Sequence, residues 1–355
     1  MIRRLTGTPA SHGFSFPPEW RRHRATWISW PRPEGISFPD RYHESIVDVL
    51  RVIGAIAAFE PVHLNVPNGN YERLVRALVG AAGIPPRRVR VHHIPTNECW
   101  TRDHGPAFVL RRRRGRTEAA VVDWGFNAWG GKYPPYDADD AVPTRVAEAL
   151  GLPVFDAGGI VMEGGAIDVN GAGTLLTTTS CLLNPNRNPG LSKKQIETYL
   201  KDYYGQSHVV WLGDGIAGDD TDGHVDDLAR FLDERTIAVG VEDNRRDANY
   251  HVLREARQAL GRARDQAGRP FDIVELPMPR PIVHARQRLP ATYLNFYFVN
   301  QALLVPTFGQ RDRDRRALAV LRRRLPDRAV VGVDCRALIW GLGAIHCLTQ
   351  QQPAW

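Results

Sequence analysis

Apolar and polar positions along this chain alternate in blocks. Short apolar runs, which read as buried strands, lead through polar loops into stretches with apolar residues every three or four positions, which read as amphipathic helices. One such unit runs from Val62-His63-Leu64-Asn65-Val66 through a helical pattern at 71–79 to Val89-Arg90-Val91-His92-His93-Ile94. Another passes from Thr174-Leu175-Leu176-Thr177 over 192–203 to His208-Val209-Val210-Trp211-Leu212. A third goes from Thr236-Ile237-Ala238-Val239-Gly240 over 248–260 to 271–276, and a fourth from Ala302-Leu303-Leu304-Val305 over 311–324 to 329–333. Partial copies are visible at Thr26–Trp30 with a helix near 43–59, and across 121–155. The alternation predicts an α/β protein. Its recurrence at roughly 60–70 residues predicts about five modules around an axis, in one domain spanning 1–355. An ordinary doubly wound sheet would give a similar alternation.

Four polar clusters interrupt the apolar pattern: Trp100-Thr101-Arg102-Asp103-His104-Gly105-Pro106; Met162-Glu163-Gly164-Gly165; 218–227, containing Asp219, Asp220, Asp222, His224, Asp226 and Asp227; and 341–353, containing Gly341, Gly343 and Cys347. Asp103 lies 60 residues before Glu163, Glu163 lies 61 before His224, and His224 lies 123 before Cys347, twice that step. One residue per module would then converge on the axis. A Cys and a His make a nucleophile and a proton carrier. Carboxylates around a thiol oppose thiolate formation unless a cation arrives with the substrate, and a planar guanidinium is the cation that carboxylates grip best. Taken singly, each residue has a structural alternative: Asp103 an ion pair with Arg102, Glu163 a turn cap, His224 a hydrogen-bonded histidine, Cys347 a small buried side chain. The acidic loop lacks the calcium-loop order.

Composition adds a contrary signal. The chain has 46 Lys+Arg against 39 Asp+Glu, a net charge of +7, and only four of the cations are lysines. Runs at Arg111–Arg114 and Arg322–Arg324 raise a nucleic-acid question. The first sits in a hairpin pattern and the second at a helix end that suits cations, and no recognition motif accompanies them. Nucleic-acid binding is therefore disfavoured, and the arginines are expected on surface loops and helix faces. No apolar run approaches the ~20 residues of a membrane span, and the first residues lack a secretory apolar region. The four cysteines form no C-x-x-C pair. A cytoplasmic protein with no membrane contact is expected.

The clusters Trp-x-Arg-Asp-x-Gly-Pro, Glu-Gly-Gly, Asp-Gly-His-Val-Asp and Ile-His-Cys-x-Thr-Gln-Gln-Gln-Pro, in that order, resemble the agmatine deiminase family, with its bacterial peptidylarginine deiminase relatives, in the guanidine-modifying superfamily. Pro18-Glu19-Trp20, the aromatic loop Trp124–Lys132, 182–189 and Tyr293-Leu294-Asn295-Phe296-Tyr297 are similar to further family segments. The resemblance implies a five-bladed α/β propeller (pentein) with its site on the axis. It implies Cys347 as nucleophile, His224 as general acid/base, and Asp226 and Asp103 as catalytic carboxylates, with Glu163, Trp100 and Gly343 against the substrate. It implies neither metal nor organic cofactor. The expected reaction is hydrolysis of agmatine to N-carbamoylputrescine and ammonia, a step toward putrescine and polyamines. Arginine or peptidyl-arginine remain alternative substrates, and a non-catalytic guanidine or nucleic-acid binder is the alternative of another class. Departures from the family pattern fall at Glu98, Asp168, Leu342 and Ala344. The sequence leaves room for a homo-oligomer without specifying one.

Overall fold

The computed structural model describes residues 2–355. The chain is a mixed α/β protein with five sheets of three or four strands and one short hairpin, Val283–His284 with Gln287–Arg288. The five sheets share one plan. A short inner strand pairs antiparallel with a longer apolar strand, and a helix then leads to a parallel outer strand. In the third sheet these are Ala229–Phe231, Thr236–Val241, the helix Asn249–Arg262 and Asp272–Pro277. In the fourth they are Tyr297–Val299, Ala302–Thr307, Arg311–Arg324 and Ala329–Asp334. The second sheet uses Ile167–Val169, Thr174–Thr178, the helix Lys193–Tyr204 and His208–Leu212. The first uses Ala107–Arg113, Arg116–Gly125, the helix Val142–Leu150 and Val154–Val161, and adds Arg4–Leu5 at its outer edge. The last sheet joins the chain ends: Thr349–Pro353 pairs antiparallel with His23–Ser29, which leads outward to Val62–Val66 and Val89–His93.

The local reasons are ordinary. The middle strands are covered on both faces, so they read as near-continuous apolar runs. The helix Lys193–Tyr204 starts at a capping box, Ser192 with Gln195, and stops at Gly205 in the left-handed region. The helix patterns expected from sequence match the observed helices to within two or three residues at their ends. The Arg111–Arg114 run differs: Arg111–Arg113 continues the strand and the turn is only Arg114-Gly115. Four of the inner strands escaped the pattern because they are short or polar, whereas Ala107–Arg113 is the first strand of the expected hairpin. Gln350, Gln351 and Gln352 are almost fully buried, and polar contacts satisfy two of them: Trp27 Nε1 donates to Gln352 Oε1 at 2.8 Å and Arg102 Nη1 to Gln351 Oε1 at 2.7 Å.

These inner strands position the site. Short turns lead into four of them: Thr101–His104, Gly164–Ala166, Val225–Asp227 and Ile345–Leu348. The first packs against the second and the fourth, and the second against the third. The fifth inner strand follows Asn295. Among the described residues no helix is long and apolar enough to cross a membrane.

Candidate active site

The four polar clusters occupy those turns, so residues more than a hundred positions apart meet. Cys347 sits in the turn Ile345–Leu348 and lines a cavity of about 240 Å³ together with Trp100, Asp103, Trp129, Tyr133, Asp220 and Gly343. Trp340 and Leu342 also line it. Gly341 and Gly343 lie flat against Trp100. A Cβ on Gly343 would come within 2.6 Å of the Trp100 ring and 3.0 Å of Cys347 Cβ, so only glycine allows this approach.

His224 and Asp226 are buried just behind the thiol. Cys347 Sγ is 3.7 Å from Asp226 Oδ2. His224 presents two different nitrogens. Nε2 faces Glu163 Oε2 at 3.2 Å. Nδ1 has no hydrogen-bond partner and faces Asp103 Oδ1 at 3.7 Å. Asp226 Oδ1 is likewise buried without a partner. Buried polar atoms are seldom left unpaired without reason, and His224 Nδ1 faces the space beside Gly165. A Cβ on that glycine would lie 2.5 Å from His224 Nδ1, 2.8 Å from Asp103 Oδ1 and 3.1 Å from Asp226 Oδ2. Gly165 N also donates to Asp103 Oδ1 at 2.9 Å, while Trp129 Nε1 donates to Asp103 Oδ2 at 2.9 Å.

The charges are set by burial and by neighbours. Burial, with Asp226, Asp227 and Asp103 nearby, pushes the Cys347 thiol well above its usual range. Burial alone would lower His224, but Asp103 and the hydrogen-bonding Glu163 overcome it and hold the imidazole well above its ordinary value. Burial raises Asp103, with Asp226 and Glu163 adding to the rise. Asp226 is also buried, yet the hydrogen bond from His346 and its charge bring the carboxyl down. The resting site is thus a protonated histidine and a reluctant thiol among carboxylates, with no Lys or Arg side chain lining the cavity beside the thiol.

One expectation is corrected by position. Glu163 does not line the cavity. It is fully buried, with Oε1 taken by Arg187 Nε at 2.7 Å and Oε2 facing His224. The carboxylate supports the imidazole and leaves the cavity to Asp103. The same pairing argues against a metal among Glu163, Cys181 and His224, which lie close enough to share one, because a guanidinium already neutralises the carboxylate. Asp226, Asp227 and Cys347 form the other such group.

Several residues had no sequence-level assignment. Asn295 holds Cys347: its Nδ2 lies 3.0 Å from Cys347 Sγ and 2.9 Å from Asp227 Oδ1, and its Oδ1 accepts from the backbone of His346 and Cys347 at 2.9 and 3.3 Å. The two backbone donors fix which end of the amide faces sulfur. Its signal was the missing step in the spacing between His224 and Cys347. His346 joins Asp226 Oδ2 at 2.7 Å to Glu19 Oε2 at 2.8 Å. Glu19 also receives Arg230 at 2.9 Å, and Arg230 pairs with Asp168 at 3.0 Å, which gives the departing Asp168 its role. Glu98 accepts from Ile36 N and Ser37 Oγ, and Ser37 Oγ accepts from Trp100 Nε1 at 2.9 Å, so this second departure ties the 36–39 loop to the cavity wall. Leu342 lines the cavity with a left-handed φ of 68°, and Ala344 is buried. Arg102, Arg187 and Arg230 are buried exceptions to the expectation that the arginines lie mostly on surface loops and helix faces.

A buried Cys–His pair flanked by carboxylates, on turns from repeated α/β modules, defines a cysteine-dependent site for a cationic ligand. The comparisons place it further. A model of the Porphyromonas-type peptidyl-arginine deiminase family matches residues 15–353, and the chain belongs to that family. It is 37% identical to the agmatine deiminase of Pseudomonas putida over 99% of both chains. Among solved structures it is similar to the agmatine deiminase of Enterococcus faecalis, at 33% identity and a TM-score of 0.91 over 99% of both chains. It is also similar to a substrate-bound agmatine deiminase of C. jejuni, at 31% identity and a TM-score of 0.85 over 96% of both chains.

Proposed function

We propose that this protein is an agmatine deiminase, hydrolysing the guanidinium of agmatine to N-carbamoylputrescine and ammonia. The observation that carries the choice of substrate is the lining of the cavity: it includes Asp103 and Asp220 and no Lys or Arg side chain. Free arginine would bring a carboxylate and find no cation there. Agmatine brings a second cation, for which Asp220, which accepts from Tyr133 Oη and lies 3.8 Å from Lys132 Nζ, is the lining carboxylate beyond the guanidinium. Three indoles, Trp100, Trp129 and Trp340, restrict the cavity to a slim ligand and disfavour a peptide.

The guanidinium enters between Asp103 and Asp226 and supplies the missing positive charge. Its arrival favours the Cys347 thiolate, assisted by the Asn295 amide 3.0 Å from sulfur. The thiolate attacks the guanidinium carbon. A C–S bond forms, the C–N bond breaks, and His224 Nδ1 protonates the departing nitrogen, which leaves as ammonia. An S-alkylthiouronium remains on Cys347. The imidazole, now neutral at Nδ1 and still anchored through Nε2, takes a proton from water. The oxygen attacks the same carbon, its remaining proton passes to sulfur as the C–S bond breaks, and the ureido product leaves with the Cys347 thiol and the protonated His224 regenerated. We further read the five sheets as the blades of one propeller, a single domain with Cys347 on its axis, acting in the cytoplasm on a small free molecule.

Ammonia release from agmatine, arginine and a C-terminal-arginine peptide tests this reading. It expects kcat/KM for agmatine to exceed that for arginine by about a hundredfold, on the scale of a lost buried charge contact. Equal or better turnover of arginine or the peptide would overturn the substrate assignment.

A further inference from the structure

Glu163 supports His224 with only one of its oxygens. The other receives Arg187 Nε at 2.7 Å, and Arg187 is held from the far side as well. Its Nη1 meets Asp222 Oδ2 at 2.6 Å and Asn186 Oδ1 at 2.7 Å, and its Nη2 donates to the Thr221 carbonyl at 2.9 Å. Every nitrogen of this fully buried guanidinium is therefore bonded. The second oxygen of Asp222 takes Lys132 Nζ at 2.9 Å, and Lys132 also donates to the Asp220 carbonyl at 2.6 Å. Lys132 directly follows 128–131, four residues with φ between 51° and 91°, the left-handed turn that carries Trp129 into the cavity. Charges alternate without a gap from Lys132, next to the turn that carries Trp129, to the acid/base: Lys132, Asp222, Arg187, Glu163, His224.

We propose that Arg187 is a positioning residue for the reaction: it fixes Glu163, and through Glu163 the ring of His224, while Asp222 and Lys132 tie this support to the wall that carries Trp129. A guanidinium suits the place because its planar fork engages two carboxylates at once, which an ammonium cannot do. The consequence is chemical as well as geometric. His224 must release its proton in the first half-reaction and accept one in the second. Glu163, Asp103, Cys181, Asp219, Asp226 and Asp227 all surround it with negative or potentially negative groups. Arg187 offsets the nearest of them and keeps the imidazole able to cycle. The inference rests on the deiminase reading.

The test is the pH profile of kcat for Arg187→Gln, Arg187→Lys, Asp222→Asn and Lys132→Met. Losing a cation raises the proton affinity of nearby groups and losing an anion lowers it. The limb that reports the basic form of His224 should move up by about one unit or more in Arg187→Gln, with KM nearly unchanged because Arg187 does not line the cavity. Arg187→Lys should restore the position of the limb while kcat stays low. Lys132→Met should shift the limb upward and Asp222→Asn downward, by about half a unit each. If Arg187→Gln fails to fold, those two opposed shifts decide. Limbs that stay in place, or shifts of the same sign in Lys132→Met and Asp222→Asn, would overturn the relay. Wild-type enzyme that releases no ammonia from agmatine would instead sink the deiminase reading itself.

Discussion

Gly165 sits where three reacting groups converge, so replacing it with alanine is a direct test of the geometry. Its φ is not in the left-handed region, and alanine is therefore allowed by the backbone. The new Cβ would stand 2.5 Å from His224 Nδ1, 2.8 Å from Asp103 Oδ1 and 3.1 Å from Asp226 Oδ2. Ordinary contact needs 3.4 Å or more, so the imidazole must retreat by about 0.9 Å. A displacement near 1 Å costs on the order of 10²-fold in rate, equivalent to about 2.7 kcal/mol in the barrier. Overpacking at the same site should cost about 1–3 kcal/mol of stability, leaving a folded protein. Gly164→Ala is the contrasting case. Its Cβ would meet the Arg102 carbonyl at 2.1 Å, a backbone clash that threatens the fold. Steady-state ammonia release and urea denaturation of both variants separate the effects. Gly165→Ala within about threefold of wild-type kcat would refute the proposed placement of His224, Asp103 and Asp226.

Other outcomes follow from the same contacts. Trp129→Phe keeps a ring in the cavity wall but removes the 2.9 Å hydrogen bond to Asp103. It should lower kcat/KM by about tenfold, the worth of one hydrogen bond to a charged group; an unchanged value would make Trp129 a wall residue only. The free-enzyme thiol is raised by burial and by Asp226, Asp227 and Asp103, so kcat/KM should keep climbing into the alkaline range. The limb of kcat should lie lower, because bound guanidinium stabilises the thiolate; coincident limbs would remove the substrate's electrostatic role. Burial opposes the Glu19 carboxylate, but Arg230 and His346 hold it far below its ordinary 4.5. Its stabilisation is therefore present above about 4.5 and lost as pH falls below that value. Glu19→Gln should cost about 3–5 kcal/mol at neutral pH and much less in acid; equal losses at both pH values in urea denaturation would contradict this.

The sequence carried the parts of the site that advertise themselves by spacing. Asp103, His224, Asp226 and Cys347 each stand in a polar cluster at a strand entrance, and a regular interval between clusters was enough to bring them together. Asn295 stands in no such cluster: it lies among Tyr293, Leu294, Phe296 and Tyr297, which are buried in the core. Arg187 and Glu19 lie in loops whose partners are remote in sequence, so only the folded chain reveals that they hold Glu163 and His346. Glu163 was found, but whether it faces the cavity or His224 was not legible, because spacing reports which turn a residue occupies and not which way its side chain faces. For the fold, the middle strands and helices were legible as apolar runs and amphipathic patterns. Apart from Ala107–Arg113, the inner strands were not, since three residues such as Ala229–Phe231 show no period and Gln350–Gln352 look solvent-facing until their partners are seen.

The central claim is that Cys347 carries the guanidine carbon covalently. Rapid acid quenching of enzyme turning over agmatine, followed by intact-mass and peptide analysis, tests it most directly. The account predicts an adduct with the mass of agmatine less ammonia, confined to the peptide containing Cys347 and absent from Cys347→Ser, which releases no ammonia. Undiminished ammonia release by Cys347→Ser, or an adduct on a different residue, would contradict it.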